Sequence, residues 1–174
     1  MIDVHSHLIP GVDDGAEDLT MALTMMLRAK NQGIAAMTAT PHSMAFDAEA
    51  ALVHARFHQL QQRAKVVFPD TGLYLGCEVY CQAERMPEIL KALDSGVYPT
   101  MNGTGYVLTE FSQWTSPERA LSCVKALAAG GYTPLIAHME RYTYLRSQEV
   151  LVSRFRELGA KIQVNAYSLY DEQD

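Results

Sequence analysis

Short apolar runs alternate along the chain with longer segments whose apolar residues recur at helical spacing. Each run is short enough for one strand, and turn-forming residues follow several of them. The predicted strands are Ile2–Val4, Ile34–Ala39, Leu73–Val79, Tyr106–Phe111, Leu135–Ala137 and Lys161–Val164.

Helices are predicted between these strands, where apolar side chains repeat every three or four residues. Asp18 suits the N-cap of the first helix and Gly33 follows its end, whereas Ser116 and Pro117 suit the start of a later one. The predicted helices are Leu19–Asn31, Glu49–Lys65, Pro87–Asp94, a helix from Ser116 to Gly130, and Gln148–Leu158.

This alternation predicts an α/β fold with a parallel sheet and right-handed crossovers. A closed β/α barrel and an open doubly wound sheet both fit the pattern at this point. No linker, repeat or low-complexity stretch divides the chain, so residues 1–174 are expected to form a single domain.

The composition is that of a globular protein, with 48% hydrophobic and 20% charged residues among 174. A net charge of −6 argues against nucleic acid as the main partner. Three cysteines form no even framework, and the N-terminus shows neither a signal peptide nor a long apolar segment. A cytoplasmic protein is therefore expected, neither embedded in a membrane nor built on disulfides.

Side chains able to bind metal lie near the end of every predicted strand or just beyond it. Parallel α/β folds place their sites at the carboxyl ends of strands, where the connecting loops converge. These side chains should therefore meet at one edge. The residues are His5 and His7, His42, Glu78, Glu110, His138 and Asn165.

His5 and His7 are the sharpest local signal, because residues two apart on a strand share a face and two imidazoles can reach one ion. An exposed histidine pair is the alternative. Glu78 and Glu110 lie in apolar runs, where a carboxylate is costly unless it is paired or bound to metal, or else points to solvent.

Three further residues have both a functional and an ordinary interpretation. His138 fits either a metal ligand or a hydrogen-bonded histidine at a strand end. The acidic pair Asp13–Asp14 fits either a ligand loop or a solvated turn. Arg141 beside a metal site suits a phosphate, which a guanidinium grips through two hydrogen bonds, although a surface ion pair would also explain it.

Other candidates are weaker. His54 and His58 are spaced i, i+4 but lack the glutamate of a zinc-protease motif, so a solvated helix face is expected. Cys77 should point away from the Glu78 face and pack in the core. No cysteine is followed six positions later by arginine, so a cysteine-nucleophile phosphatase is not indicated.

Seven motifs occur together in an order that resembles a known family. The family that these motifs resemble is the manganese-dependent protein-tyrosine phosphatases of capsule and exopolysaccharide clusters, within the polymerase-and-histidinol-phosphatase (PHP) superfamily. The resemblance extends from the first residue to about Asn165. The motifs are Met1–His7, Val12–Gly15, Thr40–His42, Gly76–Tyr80, Leu108–Phe111, Ile136–Tyr142 and Gln163–Asn165.

The resemblance implies a distorted, PHP-type β/α barrel and up to three divalent ions, with Mn²⁺ the expected metal. It implies that His5, His7 and Glu110 hold one ion, that Glu78, Glu110 and His138 hold a second, and that Asp14 and His42 contribute to a third. Glu110 would bridge two ions, and Arg141 would bind the phosphate. The implied substrate is the phosphotyrosine tail of a bacterial tyrosine kinase that controls polysaccharide synthesis.

The family carries a later Asp-x-His segment and a second phosphate-binding arginine, and neither occurs within residues 1–174. The domain is therefore expected to be incomplete at its C-terminus and to lack the last strands of the barrel. Two alternatives stay open: a PHP-superfamily phosphoesterase acting on a small phosphate ester, and a non-catalytic product that binds metal or the kinase. The oligomeric state is also left open, a homo-oligomer included.

Overall fold

The structure is a computed structural model that describes residues 1–142 and 148–169. Within these ranges the chain forms seven strands and five α-helices, which alternate for most of its length. The strands are β1 (Ile2–Ser6), β2 (Ala36–Ala39), β3 (Gly72–Leu75), β4 (Glu78–Tyr80), β5 (Tyr106–Glu110), β6 (Thr133–Ile136) and β7 (Lys161–Ile162). The helices are α1 (Leu19–Asn31), α2 (Ser43–Val67), α3 (Met86–Asp94), α4 (Pro117–Ala129) and α5 (Glu149–Glu157).

All strand pairs are parallel, as predicted, and they form two sheets ordered β1-β2-β3 and β4-β5-β6-β7. The sheets meet at one isolated bridge, between His42 beyond β2 and Glu78 of β4. The α/β class is thus confirmed. The closed barrel is not confirmed, because the strands of the described residues form no closed sheet.

The prediction of one strand over Leu73–Val79 was wrong, because the chain breaks there into β3 and β4 in different sheets. The break falls at Gly76 and Cys77. A side chain at Gly76 would lie 2.9 Å from the Met101 sulfur, and the Gly76 amide still bonds the Ala39 carbonyl beside β2. An apolar run gives no sign of such a break, because both halves are apolar.

The helices lie close to their predicted positions. α1 spans Leu19–Asn31 as expected, and the Asp18 carboxylate accepts a hydrogen bond from the Met21 amide. α2 begins at Ser43, earlier than the predicted Glu49, and Glu49 marks a kink with non-helical dihedral angles. In the described part of the chain, no helix is both long and apolar enough to cross a membrane.

The main apolar core lies between the sheets and the helices, with Met26, Leu60 and Phe155 among its fully buried side chains. A second, smaller cluster joins Leu108 of β5 to Met101 and Ala137. Leu108 and Glu110 point to the same face of β5, because side chains alternate along a strand. The small cluster therefore forms an apolar floor beneath the polar residues at the carboxyl ends of the strands.

Candidate metal centre

Four histidines from three strands converge at the carboxyl edge of the sheets. His5 lies in β1 and His7 directly after it, and their Nε2 atoms are 3.3 Å apart. The ring of His42, which follows β2, lies 4.7 Å from that of His7, and the ring of His138, which follows β6, lies 5.4 Å from that of His5. The four imidazoles thus form a continuous group.

Glu78 lies at the centre of this group, and only 1% of its side chain is exposed. Its Oε1 lies 2.8 Å from Nε2 of His138. Its Oε2 lies 3.2 Å from a ring nitrogen of each of the other three histidines. The outward, solvent-facing alternative for Glu78 is therefore wrong.

Two further carboxylates complete the group. Glu110, at the end of β5, places its carboxylate 3.5 Å from His42 Nδ1 and 3.8 Å from His138 Nε2. Asp14, whose side chain is 80% exposed, lies 3.4 Å from His42 Nε2. Among the described residues, three sets have ligand atoms close enough to share one ion: His5–Glu78–His138, His7–Asp14–His42 and His42–Glu78–Glu110.

The residues are divided among these sets differently from the way the family resemblance implies: His5 groups with Glu78 and His138, not with His7 and Glu110. The same seven residues are involved, but Glu78 and His42 each belong to two of the three sets, whereas the resemblance gives the shared position to Glu110. Which carboxylate bridges two ions stays a prediction.

Asp13 holds His7 and His42 in place. Its Oδ2 lies 2.7 Å from Nδ1 of His7 and accepts a hydrogen bond from the His42 backbone amide at 3.2 Å. Its Oδ1 accepts a third bond, from the Gly15 amide. A carboxylate on Nδ1 fixes the orientation of an imidazole and leaves Nε2 free to bind an ion.

Gln163, just after β7, holds the other two histidines, His5 and His138. Its Oε1 accepts a hydrogen bond from the His138 amide at 2.6 Å and lies 3.3 Å from Nδ1 of His5. His138 adopts a left-handed backbone conformation with φ of 32°, which is uncommon for a residue other than glycine. Local strain at His138 is thus offset by bonds that aim its ring at Glu78.

The four histidines and the carboxylates of Asp14, Glu78 and Glu110 line a cavity of about 240 Å³. Arg141, Asn165 and Tyr167 line it as well. The Arg141 guanidinium donates a hydrogen bond from Nη2 to the Tyr167 hydroxyl at 3.0 Å. One cavity thus combines a cluster of metal-type ligands with a guanidinium at its edge.

The charges of the cluster are strongly coupled. Burial disfavours a charged His7, but Asp13 and Glu78 outweigh it and raise the pKa of His7 to about 10. Contact with Glu110 raises the pKa of His42. Burial acts to raise the pKa of Glu78, yet the imidazoles of His138, His5 and His7 hold it well below its usual range.

The donor set fits divalent metal ions. Among the described residues, the buried Glu78 Oε2 and His138 Nδ1 make no hydrogen bond of normal geometry. Two ligand atoms about 2.1 Å from one ion, at an angle near 100°, lie about 3.2 Å apart, which is the spacing between Glu78 Oε2 and its three imidazole nitrogens. Nitrogen and oxygen donors of this kind suit Mn, Fe, Co or Zn alike.

The structure brings together every residue that the sequence singled out for the site. His54 and His58 are exposed on α2, and Cys77 is buried in the core, as expected. Sequence reasoning gave no role to Tyr167, none to Gln163 beyond its place in the Gln163–Asn165 motif, and no definite one to Asp13. Gln163 alternates with Asn165 beyond the last strand, a pattern that could have indicated it, whereas no sequence signal pointed to Tyr167.

A parallel α/β fold with histidines and carboxylates clustered at its strand ends places the chain among α/β proteins with a candidate metal site. Over residues 1–173 the chain matches the family described as capsular polysaccharide synthesis, CpsB/CapC. The chain therefore belongs to the CpsB/CapC family.

Named relatives agree with this assignment. The tyrosine-protein phosphatase CpsB of Streptococcus pneumoniae is 31% identical over 169 residues, which are 96% of this chain and 68% of that protein. The tyrosine-protein phosphatase YwqE of Bacillus subtilis is 33% identical over 173 residues, which are 97% of this chain and 66% of that protein.

The fold agrees as well. A chain from the crystal structures of YwqE and CpsB, described as unique metal-dependent tyrosine phosphatases, matches with a TM-score of 0.84 at 32% identity. The match covers 97% of this chain and 68% of the crystallised one.

Proposed function

We propose that the chain is a metal-dependent phosphatase that removes phosphate from phosphotyrosine in proteins. The observation that carries this proposal is the cavity in which four imidazoles, Glu78 and Glu110 lie beside Arg141. Membership of the CpsB/CapC family and relatives named as tyrosine-protein phosphatases support the choice of substrate.

We assign the metal ligands to the residues that surround Glu78. Up to three ions would be held, with Mn²⁺ the expected metal. The proposed ligands are His5, His7, Asp14, His42, Glu78, Glu110 and His138. When bound, divalent ions lower the pKa of a water molecule and stabilise the negative charge that builds up on phosphoryl oxygens.

Arg141 is proposed to bind the phosphate. Nη2 is engaged by Tyr167, and a guanidinium has five N–H donors, so donors remain for phosphate oxygens. The carboxylates of Asp14, Glu78 and Glu110 offset the positive charge that Arg141 and the imidazoles offer to a phosphate dianion, and bound cations would add positive charge to the cavity. Phosphate binding should therefore be stronger when metal is bound.

The size of the cavity favours a phosphate on an accessible segment of a protein. Its volume of about 240 Å³ is below the range typical of pockets that enclose a whole small-molecule ligand. A phosphoryl group fits there, with the phenyl ring at the mouth. The physiological substrate we propose is the phosphotyrosine tail of a bacterial tyrosine kinase that controls capsular or exopolysaccharide synthesis.

Two features of the whole chain fit this role. Both sheets contribute ligands to one cavity, so we propose that residues 1–174 belong to a single PHP-type phosphatase domain. The three cysteines are free and buried, which suits a reducing compartment, and we place the activity in the cytoplasm.

The test is phosphate release by the chain after chelation of metal and addition of Mn²⁺. We expect Mn²⁺-dependent hydrolysis of a phosphotyrosine peptide, with much slower release from a phosphoserine peptide and a sugar phosphate. Glu78→Gln should lower kcat/KM at least about a hundredfold, because the ions lose a central ligand. Glu118→Gln, an exposed site on α4, is the matched control and should leave the rate unchanged.

Two results would contradict the proposal. Faster hydrolysis of the sugar phosphate would favour the small-ester alternative, and a chain that binds Mn²⁺ but hydrolyses none of the substrates would favour the non-catalytic one.

A further inference from the structure

Tyr167 lies at the mouth of the metal cavity and is 61% exposed, although its hydroxyl is engaged by Arg141. A phenol that accepts a hydrogen bond from a guanidinium still carries its own O–H donor. That donor lies beside the guanidinium proposed to bind phosphate. The hydroxyl can therefore bond a phosphate oxygen while it keeps its contact with Arg141.

The short helical turn that carries Tyr167, Ala166–Leu169, is fastened to the turn that carries Arg141, Met139–Arg141. Glu140 Oε1 accepts hydrogen bonds from the Asn165 amide and from the Ser168 hydroxyl. These bonds enclose Tyr167 on both sides in the sequence. The tyrosine and the arginine are thus held at a fixed separation.

The backbone leading to Tyr167 is attached to the metal site as well. The Met139 amide bonds the Gln163 carbonyl, and the Gln163 amide bonds the Ile136 carbonyl. Through its side chain, Gln163 also contacts His5 and His138. The position of the Tyr167 hydroxyl is therefore set relative to the ligands and not only to Arg141.

We propose that Tyr167 is a substrate-binding residue, whose hydroxyl donates a hydrogen bond to the phosphate and whose ring packs against the phenyl ring of phosphotyrosine. This inference rests on the proposed phosphatase function and deepens it. The ring contact follows from the position of Tyr167 at the mouth, where the phenyl ring of a substrate must lie once its phosphate enters the cavity. Aromatic rings in contact stabilise a complex beyond the area that they bury.

The first test is steady-state kinetics of the Mn²⁺-loaded chain on a phosphotyrosine peptide. Tyr167→Phe removes the hydroxyl and keeps the ring, and it should raise KM about tenfold with kcat changed less than about twofold, as for one lost bond to a charged group. Tyr167→Ala also removes the ring and should raise KM further. Tyr106→Phe is the matched control, because this exposed tyrosine lies at the opposite end of β5 from Glu110.

The second test measures inorganic phosphate binding by calorimetry, which requires no turnover. Tyr167→Phe and Tyr167→Ala should weaken phosphate binding equally, about tenfold, because phosphate lacks a ring. In the Arg141→Met background, Tyr167→Phe should weaken it by less, because the two side chains bind the phosphate as a unit.

The outcomes separate this inference from the function on which it rests. If the wild-type chain hydrolyses phosphotyrosine and Tyr167→Phe keeps its KM, the inference fails while the phosphatase proposal stands. If the wild-type chain shows no hydrolysis, the phosphatase proposal fails. In that case only the phosphate-binding measurement tests the role of Tyr167. Equal phosphate affinities of wild type and Tyr167→Phe would overturn the inference.

Discussion

His7 shows how single residues prepare the site. A histidine side chain has two ring nitrogens, and which one faces an ion depends on what holds the other. In this chain Asp13 takes Nδ1 at 2.7 Å, so Nε2 points at Glu78, 3.2 Å away. The same carboxylate fixes the His42 backbone, so one buried acid orients two ligands.

The first prediction concerns this acid. Asp13→Asn is nearly the same size but loses the charge, so the amide holds the His7 ring less firmly in its ligand orientation. We expect Mn²⁺ affinity to fall about tenfold to a hundredfold, the usual effect of removing such a supporting carboxylate. Competition with a metal-sensitive dye measures the affinity. Asp70→Asn, at an exposed position, is the control, and equal affinities of Asp13→Asn and wild type would contradict the role of Asp13.

The loop between β1 and α1 places the acidic residues Asp13 and Asp14 at the site. The loop folds back over His7, where the Ala16 amide bonds the His7 carbonyl and the Gly11 amide bonds the Ala16 carbonyl. Gly15 passes so close that a Cβ atom there would overlap the backbone and Cβ of His7. The absence of a side chain at Gly15 therefore decides where Asp13 and Asp14 lie.

The second prediction follows from this close contact. Gly15→Ala should push the loop away from His7, lower the free energy of unfolding by about 1–3 kcal/mol and weaken Mn²⁺ binding. Urea unfolding and the dye assay measure the two effects. Gly105→Ala is the matched control, because a Cβ atom there meets only the Gly131 carbonyl, at 3.9 Å. Unchanged metal affinity in Gly15→Ala would show that the loop does not hold the ion.

At the scale of the whole molecule, the site lies where the two sheets meet. β1 and the segment beyond β2 supply three histidines from one sheet, and β4, β5 and the end of β6 supply two carboxylates and a histidine from the other. Bound ions would therefore join the sheets. Protonated imidazoles would supply the counter-charge of the carboxylates without them, since Asp13, Glu78 and Glu110 raise the pKa values of His7 and His42.

The third prediction is that metal stabilises this protein, and more so at higher pH. A metal ion binds only the neutral imidazole, so it must displace the proton of His7, whose pKa is about 10. As pH rises from 6 to 8 this displacement becomes easier, and Mn²⁺ affinity should rise up to about tenfold per pH unit for each proton displaced.

Thermal unfolding checks the prediction. At a Mn²⁺ concentration of about 100 times Kd, the gain of about 2.7 kcal/mol corresponds to a Tm rise of roughly 5–10 °C. The rise at a fixed Mn²⁺ concentration should be smaller at pH 6 than at pH 8, and chelator should abolish it. A larger rise at pH 6 would mean that ions do not compete with protons at the imidazoles.

Much of this protein is determined locally and could be predicted from the sequence. Helical periodicity and the Asp18 cap fixed α1, and the apolar runs located the strands, because burial and capping depend on residues close together in the chain. The sequence also indicated the ligand set, since the carboxyl ends of parallel strands converge whatever the details of the sheet.

The tertiary structure decided what depends on contacts between distant segments. It broke the third predicted strand at Gly76, made Glu78 the centre of the cluster, and brought Gln163 and Tyr167 to residues far away in sequence. These features follow from which segments approach each other and at what distance. A linear pattern of apolar and polar residues carries no such distances, so it names the participants of the site but not their arrangement.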